Sequence, residues 1–140
     1  MSERWVIDAS IGIAWVHPAQ ATVATANLRQ QLRLGVTLVV PVIWFQELAN
    51  ALLVLERRKK LTADERREAL AGLSSLNTSP DHDGLSLVFG RVSDLADSHG
   101  LSVYDASYLE LAMRERLPLG SKDAPLQIAA RKCGVRLLLK

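Results

Sequence analysis

The sequence predicts an α/β fold built on a parallel sheet, and three features carry that prediction. Short, continuous apolar runs alternate with longer segments whose apolar residues recur every three or four positions. The runs lack the polar alternation of a half-exposed strand, as expected where helices cover both faces of a sheet. Capping and turn residues fall mainly between these segments.

The elements follow in order. "RWVIDAS" reads as a strand ending near Asp8, and "SIGIAWV" as a short helix that stops at His17-Pro18. Residues 19–35 place Ala21, Ala24, Leu28 and Leu32 at helical spacing, with Gly35 where a C-terminal cap belongs. "VTLVVP" is a second strand, and residues 43–60 form a helix whose basic end suits the macrodipole. "TADE" is a capping box that starts a helix at Thr62, running to about Leu76. Residues 77–84, "NTSPDHDG", read as a loop, with "DHD" as capping chemistry rather than a metal cluster. A helix over 85–100 ends at Gly100, with Gly90 as a weak point inside it. "SVYD" at 102–105 is a second capping box and opens the helix "VYDASYLELAMRER". "LPLGS" is a third strand, "APLQIAARKCG" a final helix and "VRLLL" a final strand.

Composition narrows the function classes. A chain of 140 residues is expected to form one domain and to bury roughly two-thirds of its unfolded surface. With 49% hydrophobic and 23% charged residues it is globular rather than disordered. A net charge of +2 is too small to argue for an anionic partner. Cys133 is alone, so a reducing, cytoplasmic setting is expected, and the charged start "MSERWVID" does not read as a signal peptide. Residues 38–55 have the length of a membrane span but contain Pro41, Gln46, Glu47 and Asn50. They read as a strand running into a buried helix of a soluble protein.

Four carboxylates stand out. Asp8 ends an apolar strand, where the plain reading is an N-cap. Glu47 sits among apolar neighbours with Asn50 one turn on, and could simply favour the helix dipole. Asp105 could be the acidic member of its capping box, and Asp123 a cap for the last helix. All four nevertheless stand at a strand C-terminus or a helix N-terminus, which in a parallel α/β fold is one rim of the molecule. Carboxylates gathered there would repel by about 4 kcal/mol per pair at ~4 Å and an effective dielectric near 20. Hard dications remove that penalty, and all-oxygen ligation selects Mg²⁺ or Mn²⁺ over Zn²⁺. Acids holding such ions are the equipment of phosphodiester hydrolysis.

The stretches "VIDASIGIAWV", "VPVIWFQELANALL", "GLSVYDASYLELAMRERLPLGSKD" and "AARKCGV" resemble, in order and spacing, the PIN-domain ribonucleases. Among these the chain looks most like the VapC toxins of prokaryotic type II toxin–antitoxin modules. The resemblance spans essentially the whole chain, so residues 1–140 are expected to be a single PIN domain. It implies a three-layer α/β/α fold with four or five parallel strands in the order 3-2-1-4-5. It also implies that Asp8, Glu47, Asp105 and Asp123 are the acidic metal-binding and catalytic set, with Ser10 and Ser121 as supporting hydroxyls. Asn50 joins the supporting residues through its place beside Glu47. The implied activity is Mg²⁺- or Mn²⁺-dependent cleavage of RNA, of the tRNA or rRNA class, by a homodimer inhibited by a VapB-like antitoxin. The pattern departs near Asp123: the family has Thr two residues before this acid and a basic residue after it, whereas here Ser121 and Ala124 stand there, with Lys122 between Ser121 and Asp123.

Two other readings compete. A catalytically silent PIN scaffold could bind RNA or protein without cutting it. A phosphoacceptor receiver domain using Asp8 would need an acidic pair before a strand and a late lysine, which only Lys122 loosely supplies. Among the remaining features, "ERRKK" with Arg66 and Arg67 reads as a solvated helix end, His17 and His99 as turn residues, and Cys133, Trp15 and Trp44 as packing residues, with partial exposure allowed for the two tryptophans.

Overall fold

Strand β1 (Arg4–Ile7) is apolar from Trp5 onward because both its faces are covered: Trp5, Val6 and Ile7 are all buried. A computed structural model describes residues 3–139 of the chain. After β1 come α1 (Ala9–Val16), α2 (Val23–Gln31), β2 (Thr37–Pro41), α3 (Ile43–Arg57) and α4 (Ala63–Ser74). β3 (Thr78–Asp81), α5 (Ser93–His99), α6 (Val103–Glu115), β4 (Leu119–Gly120) and α7 (Ala124–Lys132) complete the order.

The strands are parallel and lie in the order β3-β2-β1-β4. This is the expected 3-2-1-4 arrangement. The fifth position is reduced to one bridge between Leu119 and Leu137, so "VRLLL" pairs without forming a strand of its own. α1 packs on α2, α3 and α4, whereas α6 packs on α5 and α7 and lies across β1, β2 and β4. Helices therefore flank the sheet in three layers. One close approach is set by sequence: a Cβ on Gly12 would stand 2.8 Å from a methyl of Leu48, so α1 and α3 touch there only because residue 12 has no side chain.

Capping chemistry places most helix ends as expected. Thr62 and Glu65 close a reciprocal capping box at the start of α4. Gly35 adopts a left-handed conformation (φ 87°) after a single 3₁₀ turn that extends α2. The start of α2 moves from residue 19 to Val23, because Thr22 and Thr25 form a second reciprocal box and Pro18–Gln20 make a separate 3₁₀ turn.

Three expectations need correction. Residues 77–84 do not form a plain loop: Thr78–Asp81 add a parallel edge strand to β2. Pro80 is tolerated because an edge strand needs no hydrogen-bond donor on its outer side. The expected helix over 85–100 is a 3₁₀ turn (Asp83–Leu87), a π-helical turn (Val88–Val92) containing Gly90, and only then α5. Finally, α3 is not a rod buried on every side. It buries the single stripe Trp44, Leu48 and Leu52, and Phe45 is 39% exposed. Trp15 and Trp44 pack in the core, each indole N–H donating to a backbone carbonyl, of Thr25 and Asp8 respectively.

Away from the strand ends, the carboxylate of Glu110 is buried on α6, and sequence patterning gave no warning of it. Arg114 answers it one turn later, with Nε 2.9 Å from Glu110 Oε2, and reaches on to Asp81 with Nη2 2.6 Å from Oδ2. This triad ties the end of β3 to α6, and Asp81 also accepts from the Gly84 N–H, so "DHD" is capping and pairing chemistry. Arg114→Ala would leave the Glu110 carboxylate, whose side chain is 1% exposed, without its cation. Urea unfolding at pH 7 should show a loss of about 3–5 kcal/mol, the usual cost of orphaning a buried ion pair; a loss below 1 kcal/mol would show that the triad contributes little.

Candidate metal centre

Asp8 is the residue at which the chain leaves β1 and enters α1. Its N–H donates to the Gly120 carbonyl at 3.0 Å, extending the β1–β4 pairing by one residue. Its side chain caps α1, accepting the Ile11 N–H at 3.3 Å on Oδ1. Ser10 donates to the same oxygen at 2.6 Å, and Ser121 donates to Oδ2 at 2.5 Å. The residue is only 4% exposed. Burial pushes its carboxyl up to about 6, against the opposing effect of the two hydroxyls and the Ile11 N–H, and the charge of Asp105 adds to the rise.

The two serines lace the loop after β4 to this carboxylate. Ser121 Oγ accepts the Asp123 N–H, and Ser10 Oγ accepts the Lys122 N–H, both at 2.9 Å. Gln127 Nε2 donates to the Ser121 carbonyl at 2.6 Å and steadies the loop from inside α7. The Trp44 indole donates to the Asp8 carbonyl at 3.3 Å, which sets the first turn of α3 against the β1–α1 junction. Glu47 lies one turn beyond Trp44. Sequence reasoning missed Gln127 and Tyr108 as supports, and read Trp44 as a packing residue with partial exposure allowed, without its bond to Asp8.

Glu47 is half-buried, and its Oε1 accepts from the Tyr108 hydroxyl at 2.5 Å. Burial raises its carboxyl, the Tyr108 bond opposes this, and the charge of Asp105 adds to the rise. Tyr108 is itself pushed far above the usual phenol range, by burial first and then by Glu47, Asp8 and Asp105, so it stays a proton donor. Asp105 stands in the first turn of α6. Ser102 caps that helix by accepting the Asp105 N–H at 3.0 Å, but the reciprocal bond of a capping box is missing. Burial raises the Asp105 carboxyl and the charge of Asp123 raises it further, with the Ser102 hydroxyl opposing. Asp123 caps α7, its Oδ2 accepting the Leu126 N–H at 3.1 Å.

Asp8, Glu47, Asp105 and Asp123 thus form one electrostatic group: Asp105 acts on Asp8 and Glu47, and Asp123 acts on Asp105. Glu47, Asp123, Ser10 and Lys122 line a cleft of about 480 Å³ at this rim. Lys122 Nζ is turned onto the Gln20 carbonyl at 2.7 Å. Asn50 lies apart: it is exposed, and Ala51 rather than Asn50 follows Glu47 along the cleft. Among the described residues no three His, Cys, Asp or Glu side chains stand in an arrangement that could hold a metal ion. The donors are all hard oxygens, which suits a dication of the magnesium class, but ligation needs the partly exposed acids to close on Asp8.

A sign follows for stability. Asp8 ionises near 3.8 when unfolded and at about 6 when folded, so its contribution is fully present below the first value and lost as pH rises through the second. At pH 7 the metal-free protein carries a cost on the order of 3 kcal/mol from this group. Asp8→Asn should therefore raise the urea midpoint of the metal-free protein at pH 7 and leave it nearly unchanged at pH 4. Equal effects at both values would contradict the burial of this charge.

The comparisons agree with this architecture. The PIN domain profile matches residues 5–132. PAE2754 from Pyrobaculum aerophilum is similar in structure, with a TM-score of 0.70, 23% identity and coverage of 98% of this chain and 84% of that one. VapBC2 from Rickettsia felis, solved with a DNA fragment from its promoter, gives a TM-score of 0.66 at 14% identity, covering 96% of each chain. FitAcB from Neisseria gonorrhoeae gives 0.63 at 15% identity, covering 94% of each. At these identities the likeness is one of fold. No curated protein matches at the level of sequence. With the profile matched from β1 to the end of α7 and the sheet in the expected order, this chain belongs to the PIN-domain family.

Proposed function

We propose that this chain is the toxin of a type II toxin–antitoxin module and acts as a metal-dependent endoribonuclease. The single observation that carries the reading is the placement of four carboxylates, from the end of β1 and the first turns or caps of α3, α6 and α7, where Asp105 feels Asp123 and acts on both Asp8 and Glu47. Membership of the PIN family supports a nuclease. The likeness in fold to VapBC2 supports the narrower reading, since the sequence resembles the VapC toxins.

On this reading Asp8, Glu47, Asp105 and Asp123 hold Mg²⁺, with Mn²⁺ able to replace it. A bound dication lowers the pKa of water and neutralises charge growing on a phosphate. The chain's own residues do the positioning. Ser10 and Ser121 fix both oxygens of Asp8, and Ser121 links Asp8 to the Asp123 backbone. Tyr108 occupies Glu47 Oε1 and leaves Oε2 for a ligand. Lys122, at the cleft edge, supplies a cation for an RNA phosphate. The substrate class is RNA of the tRNA or rRNA type, and the inhibitor is a VapB-like antitoxin. Exposed Leu85, Val103 and Tyr104, which line an apolar cavity of about 190 Å³, support a homodimer. The intact set Asp8, Glu47, Asp105 and Asp123 speaks against a catalytically silent scaffold.

Three measurements check the reading. Asp8→Ala or Asp105→Ala should abolish metal-dependent cleavage of single-stranded RNA with an unchanged circular-dichroism spectrum; full activity in either removes the assignment. Ser121→Ala should weaken metal affinity about 10- to 100-fold by calorimetry, as expected for a group that orients a ligand. Co-expression with the reading frame immediately upstream should restore growth and copurify a partner; a toxic chain left unrescued would count against the antitoxin assignment.

A further inference from the structure

The rim opposite the acids carries a second charged pocket. Arg91, Arg116 and Arg136 line a cavity of about 480 Å³ together with apolar Leu117 and Pro118, and no carboxylate is among its lining residues. The three arginines come from the π-helical turn, the C-cap of α6 and the segment after α7. None of them makes a salt bridge among the described residues, whereas the partly buried Arg66 and Arg114 do. Helix dipoles account for part of this charge. Arg116 and Arg136 follow the C-terminal ends of α6 and α7, where a cation is favoured. Arg91 instead lies inside the continuous helical run from Asp83 to His99, so no helix end accounts for its charge. Three solvent-exposed arginines that line one pocket without salt bridges are complementary to an anion, and the guanidinium fork suits phosphate oxygens in particular.

We propose that this pocket is an exosite for the phosphate backbone of a single-stranded RNA, which rests on the ribonuclease reading for the choice of ligand. The strand geometry allows one RNA to serve both rims. Pro118 lines the pocket and Ser121 bonds Asp8, and three residues of extended chain separate them by about 10 Å. An RNA strand would pass outside residues 136–138, which bond to β4, so its surface path between the rims is longer than this straight separation. The exosite holds RNA that the acid rim, before metal binding, repels.

Cys133 makes the site readable without catalysis, because the chain's single cysteine lines this pocket. In EDTA, a short single-stranded RNA should slow alkylation of Cys133 several-fold. The protection should vanish in Arg91→Ala/Arg116→Ala/Arg136→Ala, with each protein normalised to its own rate without RNA. The same variant should reduce the slope of log affinity against log salt by about 2, the expectation for three lost phosphate contacts on a single strand. Arg57→Ala/Arg58→Ala, on the exposed end of α3, should leave the protection intact. If the triple variant fails to fold, Arg136→Ala alone should still reduce protection. No protection by RNA, or an unchanged salt slope in the variant, overturns the exosite. Equal protection by inorganic phosphate alone overturns the RNA assignment in favour of a free-anion pocket. These readouts need no cleavage, so a wild-type chain that cuts no RNA would refute the nuclease reading, while RNA protection of Cys133 would still decide the exosite.

Discussion

The carboxylate of Asp8, buried where β1 ends, constrains everything around it. An ionised side chain at that depth needs every available donor, and the fold provides them from three directions. The Ile11 N–H comes from the helix that Asp8 caps, Ser10 from the same turn, and Ser121 from the neighbouring strand end. Ser121 reaches Asp8 only because β1 and β4 are adjacent and parallel, so the sheet order supplies the donor that local sequence cannot. The Trp44 bond to the Asp8 carbonyl extends the constraint to α3, and the Ser121–Asp123 bond extends it to α7.

Two groups of acids in this molecule receive opposite treatment. Asp81 and Glu110 share Arg114, which lies between them and neutralises them from within the protein. Asp8, Glu47, Asp105 and Asp123 share no arginine, and the nearby Lys122 turns its ammonium to the Gln20 carbonyl. The carboxyls of Asp8, Glu47 and Asp105 are raised, with burial as the leading cause in each. The protein thus supplies an internal cation to the first group, and among the described residues none of the second group makes a salt bridge.

Capping leaves these carboxylates with spare acceptor capacity. Asp8 and Asp123 are both N-caps, yet a carboxylate has two oxygens and several lone pairs, so accepting one backbone N–H does not exhaust it. At Asp105 the capping box stays half-made, which leaves its side chain uncommitted to the Ser102 backbone.

Sequence alone determined the parallel α/β class, the strands near Asp8 and Ser121, the Thr62 capping box and the candidate acids, because these depend on local apolar runs and on spacings within one turn of chain. The edge strand β3 escaped it: four residues that include Ser79 and Pro80 pair only because β2 presents an open edge. So did Glu110, which looks like one more solvated acid until α6 lies across the sheet and Arg114 reaches it. The π-helical turn at Val88–Val92 follows a similar logic, since Gly90 permits several local conformations and packing against α5 and α6 selects one. Only the tertiary structure decided which carboxylates feel one another's charge and which arginines share a pocket, because electrostatic interaction depends on distance through space, to which separation along the chain is blind.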